Sequence, residues 1–226
     1  MVLGLFKGEQ KKVVGTPLPK NANPDFNPEC YTVIARTNAA VFDKAVRLCR
    51  TRKIGFVGGI GGYRLQTIKD VYHLYAQQHD RIMDPFIKRF ALYSEMKSYG
   101  ESVKDVELLS VCRVVENYSF SIPRLVGMIA EKAVDAQDAQ VLLTTAHKSK
   151  GLEWHNVHLM GDFQPLINKD KLVDPKGVEP DEFNLVYVAM TRTISRLRFD
   201  QDSTMPEFIR KVQAGMMDGK KRGNPD

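Results

Sequence analysis

The chain reads as an α/β protein: a parallel sheet with helices on both faces and one short all-helical insertion. Three observations predict this. Tyr31-Thr-Val-Ile-Ala35 is a short β-branched run, apolar at successive positions, as a strand covered on both faces must be. Strand character returns only much later, at Val141-Leu-Leu-Thr-Thr145 and again at Val157-His-Leu-Met160. Between them, from Arg64 to about Asp138, the apolar residues recur at helical spacing. Strands alternating with helices, interrupted once by an all-helical block, suggest a parallel α/β layer fold with a small inserted subdomain.

The elements follow in order. Residues 16–29 hold four prolines and three asparagines and are expected to form an exposed linker. After the first strand, Phe42, Ala45, Val46 and Cys49 share one helical face while Lys44, Arg47 and Arg50 take the other. The glycine-rich Gly55-Phe-Val-Gly-Gly-Ile-Gly-Gly62 resembles a dinucleotide fingerprint, but Arg64 stands where its last glycine is required. The helical block carries Leu65, Ile68, Val71, Tyr72 and Tyr75, then Phe86, Phe90 and Tyr93, then Ile122, Leu125, Val126, Ile129 and Ala133, with breaks expected at Pro85, Gly100 and Pro123. Asp181 is placed to cap a helix with Phe183, Val186, Tyr187 and Met190 on its apolar side. Arg196-Leu-Arg-Phe-Asp200 alternates like a half-buried strand, residues 205–216 are amphipathic, and 218–226 are too polar to pack. The expected organisation is therefore a sheet domain in two parts, 1–63 and 139–217, around a helical insertion at 64–138, with a disordered tail at 218–226.

Composition narrows the function classes. Hydrophobic residues make up 43% and charged residues 27% of the chain, ordinary for a globular protein, and no apolar run approaches the roughly 18 residues of a membrane span. Met1 to Gly15 lacks the apolar core of a secretory signal. Cys30, Cys49 and Cys112 are far apart and in no CxxC spacing, which argues against a disulfide framework and a zinc site. His155 and His158 are separated by three positions in a strand, on opposite faces, with no carboxylate cluster beside them. A net charge of +6 and a pI near 9.1 are compatible with a nucleic-acid partner.

Chemistry concentrates at strand exits, where parallel sheets bind ligands, so the residues after Ala35, Thr145 and Met160 matter most. Ala146-His-Lys-Ser-Lys-Gly-Leu-Glu-Trp154 puts two lysines, a histidine, a glycine and a carboxylate at such an exit, a composition that packing alone does not select. With Thr145 it resembles motif V of UvrD/PcrA/Rep-type superfamily 1 DNA helicases, TxHxxKGLEF/W. Asp181-Glu-Phe-Asn-Leu-Val-Tyr-Val-Ala-Met-Thr-Arg192 resembles motif VI of the same family, with Asn184 where arginine is usual and Thr193 replacing a small residue. Val33-Ile-Ala-Arg-Thr-Asn38 resembles motif IV, with Ala35 where an adenine-stacking aromatic often stands. Gly59-Ile-Gly-Gly-Tyr-Arg-Leu-Gln-Thr-Ile-Lys-Asp70 resembles the segment that leaves the motor core for the inserted domain.

That resemblance implies a RecA-like second motor domain. It passes the arginine-finger role to Arg192 and a second γ-phosphate contact to Arg36, contacts with nucleotide to Gly151 and Glu153, and contacts with the DNA backbone to Thr145, His147 and Lys150. Physical chemistry agrees: glycine lets backbone approach phosphate, a carboxylate accepts from ribose hydroxyls, and a fixed guanidinium stabilises charge on a transferring phosphoryl group. Taken alone, Arg192 would be a surface arginine favoured by a helix C-terminus; its flanking residues decide. Trp154 reads as a core residue. Gly215-Met-Met-Asp-Gly-Lys220 is one residue short of a phosphate loop, so ATP and Mg2+ are expected to be held mainly by a first motor domain, in the same or another chain. Further similarity, in Ala35 to Val46, Ser121 to Ile129 and Thr144 to Phe163, is to eukaryotic F-box DNA helicases. It implies 3′ to 5′ movement on single-stranded DNA, a nuclear location (cytoplasm for a chain that is not eukaryotic), recombination or repair partners, and no membrane. A helicase-derived module that binds protein or DNA without ATP turnover is the alternative.

Overall fold

The computed structural model describes residues 26–168, 171–172, 180–201 and 203–211. Most of the expected linker and the whole expected polar tail lie outside the described residues. Strand β1 (Tyr31–Ala35) leads into helix α1 (Asn38–Leu48), whose start is fixed by Thr37: its hydroxyl accepts the Ala40 N–H at 3.1 Å. Then come β2 (Ile54–Phe56), the helices α2 (Leu65–Tyr75), α3 (Tyr93–Ser102), α4 (Val106–Tyr118) and α5 (Ile122–Lys132), and the short β3 (Ala133–Val134). The chain continues through β4 (Val141–Thr145), β5 (Trp154–Leu159), a small antiparallel pair β6 (Ile167–Asn168) and β7 (Lys171–Leu172), α6 (Pro180–Met190) and β8 (Thr193–Phe199).

Six of these strands form one parallel sheet in the order β3-β2-β4-β1-β5-β8. Alternation along β1 divides its apolar residues between two cores, as a strand covered on both faces requires. Val33 and Ala35 pack with α1 and with Ile68, Val115 and Ile129 of the helical block; Ile34 packs with Val157, Leu159 and the α6 residues Phe183, Val186 and Ala189. The helices between β2 and β3 thus share the core beneath one sheet face, and α6 covers the other. The parallel α/β fold with helices on both faces is the one the sequence implied. Among the described residues, no helix is long and apolar enough to cross a membrane.

Three local expectations need correction. Gly55 lies inside β2, in the glycine-rich stretch that was not read as a strand; a Cβ there would meet the Ala139 Cβ at 2.8 Å, so packing demands glycine. Gly100 does not break α3. It is buried in the last turn, where a Cβ would sit 3.2 Å from Leu108 Cδ2. Phe86 and Phe90 flank a single 3-10 turn instead of occupying an α-helix, because the Asp84 carboxylate takes the Phe86 N–H at 2.8 Å and buried Asp70 takes the Asp84 N–H at 2.9 Å. Pro123 starts α5 at its first turn, and Asp181 lies inside the first turn of α6.

Candidate functional site

Strands β4 and β5 run parallel, so residues 146–153 must carry the chain from the carboxyl end of one to the amino end of the other. They do so in one compact turn. Ala146 N–H donates to Ala35 O at 2.8 Å, Ser149 N–H to Thr145 O at 2.9 Å, and the buried Ser149 hydroxyl to Ala146 O at 2.8 Å. Leu152 N–H closes the turn on Ser149 O, and Gly151 reverses the chain at φ +85°, a conformation that disfavours any side chain. Thr145 and His147 stand at the carboxyl edge of the sheet, Glu153 directly precedes Trp154 at the amino end of β5, and Gly151 lies in the turn between them.

At the carboxyl edge, Arg36 leaves β1 and its side chain forms a fork with Glu182 of α6, Nε lying 3.0 Å from Oε1 and 2.9 Å from Oε2. That pairing holds the guanidinium more firmly protonated than usual. The Asp162 carboxylate accepts the backbone N–H groups of Arg36 and Thr37, each at 2.9 Å, and the Thr37 hydroxyl at 3.0 Å. Burial pushes the Asp162 carboxyl above the usual range, and those donors work against the shift. His147, Lys148 and Lys150 are exposed, and the Lys148 ammonium lies 5.2 Å from the ring centre of buried Tyr63. Gly62 makes room for it: a Cβ there would stand 2.6 Å from Lys148 Nζ. This joins the glycine-rich segment after β2 to the turn after β4, a contact without a local sequence signal.

At the amino edge, Arg192 follows α6 and its carbonyl accepts the Trp154 N–H at 2.9 Å, tying the start of β5 to β8. Its guanidinium donates to Val188 O at 2.9 Å, Leu152 O at 3.2 Å and Thr191 Oγ1 at 3.1 Å. All three acceptors are neutral, and among the described residues no carboxylate pairs with it. Glu153 is exposed and likewise has no hydrogen-bond partner among the described residues. Trp154 is half-buried against the core beneath α6.

The structure therefore brings Arg192 together with the Gly151–Glu153 segment, and Arg36 together with the exit that bears Thr145 and His147. It does not bring Arg36 to Arg192. Glu182 and Arg192 lie at opposite ends of α6, roughly 15 Å apart along its axis. Of the residues named from the sequence, Arg36, Thr145 and His147 follow strand carboxyl ends, while Glu153 and Arg192 stand at the other edge. His155 and His158 take separate partners, Ser195 Oγ at 3.1 Å and the Asp200 carboxylate at 2.7 Å. Glu182, Asp162 and Lys148 were not singled out by sequence reasoning; the acidic pair opening motif VI was the one available signal for Glu182.

Residues 70–201 match the family model of the UvrD-like helicase C-terminal domain. F-box DNA helicase 1 of Gallus gallus is 34% identical over 189 residues, covering 75% of this chain and 19% of the relative. F-box DNA helicase protein 1 of Schizosaccharomyces pombe is 28% identical over 191 residues, covering 79% of this chain and 22% of the relative. The chain spans about a fifth of the length of these curated relatives. The family match takes in the turn after β4, α6 and Arg192 with the sheet around them, and the chain belongs to the UvrD-like helicase C-terminal domain family.

Proposed function

We propose that this domain is the second motor half of an ATP-dependent 3′ to 5′ single-stranded DNA translocase. One observation carries the reading: the hydrogen-bonded turn at 146–153 joins the carboxyl-edge residues Thr145 and His147 to Glu153 and to Arg192, which donates to Leu152 O, so one short segment would link strand and nucleotide. At the amino edge, Glu153 and Arg192 pair with no opposite charge among the described residues, and they are the residue types that suit a ribose hydroxyl and a γ-phosphate. Arg192 would stabilise charge on the transferring phosphoryl group, Glu153 would orient the ribose, and the backbone at Gly151 would approach the phosphates closely. ATP supplies the free energy of phosphoryl transfer when bound. Mg2+ would be held by the phosphates and by a first motor domain carrying the phosphate loop.

At the carboxyl edge, Thr145, His147 and Lys150 would touch the strand backbone. Closure and opening of the cleft between the two motor domains would then move this edge along the strand. A nuclear location and recombination or repair partners follow from the similarity to F-box DNA helicases and belong to the same proposal.

Fluorescence anisotropy with a labelled oligonucleotide at several salt concentrations tests the DNA half. Lys150→Ala should lower the salt slope by about 0.7, the counterion release of one single-strand contact. A double alanine variant at Lys220 and Lys221, outside the described residues, should leave it unchanged. Equal losses from both would mean diffuse attraction to a basic protein, and the assignment of Lys150 would fall.

A further inference from the structure

Arg36 is the cation of the carboxyl edge whose planar fork is already filled. Glu182 binds it through both carboxylate oxygens, and each side chain keeps 16% of its surface exposed, so the pair is reachable from solvent on one side. Carboxylate and phosphate oxygens satisfy the same guanidinium geometry, which makes one a close substitute for the other. The remaining carboxylates near Arg36 are committed elsewhere: Asp162 to the backbone amides of Arg36 and Thr37, Glu107 to the backbone and side-chain amides of Asn38. Among the described residues, only Glu182 accepts from the guanidinium itself.

Position adds a second argument. Glu182 lies in the first turn of α6, where the helix dipole favours a negative charge, so a released carboxylate keeps a favourable site. Arg192 follows the other end of the same helix. A change at the Arg36 fork therefore acts on an element that also carries the amino-edge arginine.

We propose that Glu182 is an internal stand-in for a backbone phosphate: single-stranded DNA reaching the carboxyl edge takes Arg36 from Glu182, and α6 carries that exchange toward Arg192. Glu182 is thus a positioning residue that closes a phosphate seat when no strand is present. This rests on the reading of the carboxyl edge as the DNA side, and it reassigns Arg36 from nucleotide to strand.

The test uses the whole chain and a fluorescein-labelled oligothymidylate across a salt series. Glu182→Gln should bind about fivefold more tightly at ~0.1 M salt and steepen the salt slope by about 0.7, the counterion term of one added contact. Glu182→Asp should restore wild-type behaviour, and Arg36→Ala combined with Glu182→Gln should abolish the gain. A merely structural Glu182 would not increase affinity on substitution. If Glu182→Gln binds no better than wild type while Lys150→Ala weakens binding, the exchange is wrong and the DNA edge stands. If Lys150→Ala also leaves binding unchanged, the DNA edge falls and the exchange with it.

Discussion

The two edges of the sheet differ in how their charges are satisfied. At the carboxyl edge Arg36 pairs with Glu182, Asp162 accepts from two backbone amides and a hydroxyl, and Asp200 pairs with His158. At the amino edge, Arg192 rests on neutral oxygens and Glu153 on solvent. Burying charges without partners is costly, so an edge that leaves them unpaired must also leave them accessible. Such groups add little to the fold and are available to a ligand arriving from outside. The carboxyl edge contributes to stability by itself; on the proposed function, the amino edge is the one that another domain and its nucleotide would complete.

The largest expected effect is therefore at the amino edge and in rate. Assembled with a domain that carries the phosphate loop, Arg192→Ala should lower DNA-stimulated ATP turnover by about 10³-fold or more, the range for arginine fingers in nucleotide hydrolases. Lysine should not restore it, since a point charge lacks the planar fork. Steady-state turnover of the assembled motor measures this directly. Undiminished turnover would return Arg192 to the ordinary surface arginines and remove the functional half of the comparison.

Stability should show the reverse ranking. Arg36→Ala strands a partly buried Glu182 and should cost on the order of 1–3 kcal/mol, several degrees in melting temperature for a chain of this size. Arg192→Ala frees carbonyl groups near a helix end that can turn to water, and should cost under about 1 kcal/mol. Removing Glu182 together with Arg36 should recover part of the loss, because the stranded charge goes with its partner. Thermal denaturation followed by circular dichroism reads all three. Equal losses for the two single arginine variants would show that the amino edge is as structural as the other.

Much of this architecture was legible in the sequence because the signals were local. The apolar runs of β1 and β4 declare strands covered on both faces, and the composition of 146–154 marks a strand exit that packing alone does not select. What escaped needed distant partners. Gly55 is explained by Ala139, and the freedom of Gly62 by Lys148, neither adjacent in sequence. The motif segment from Thr145 to Trp154 could be matched residue by residue, but its division between two edges follows from β5 running parallel to β4's neighbour β1. For the same reason Arg36 and Arg192 could be named together from motifs while the fold keeps them apart.

The smallest expected effect concerns acid. Asp200 closes β8 at the carboxyl edge, where it accepts from His158 Nε2–H at 2.7 Å and from Gly161 N–H at 3.2 Å, with the Lys44 ammonium at 3.8 Å. The His158 hydrogen bond holds its carboxyl below the ordinary aspartate value of 3.8. A depressed carboxylate contributes stability that is present above that ordinary value and is lost as pH falls through the folded one, because the unfolded chain takes up the proton first. Asp162, on the same edge, has the opposite sign: burial raises its folded value, so its charged form costs stability at neutral pH and the cost disappears on acidification. Acid therefore withdraws support from one carboxylate while relieving the other, and the wild-type profile shows only their difference. Comparing wild type with Asp200→Asn separates them. The gap between the two proteins should be on the order of 1 kcal/mol near neutrality, given partial exposure and screening, and should close as pH falls below 3.8 through the folded value. Urea midpoints measured from about pH 7 to about pH 2.5 give that gap. A gap that persists unchanged in acid would mean that asparagine disturbs packing at the end of β8, and Asp200 would leave the set of charges that distinguishes this edge from the other.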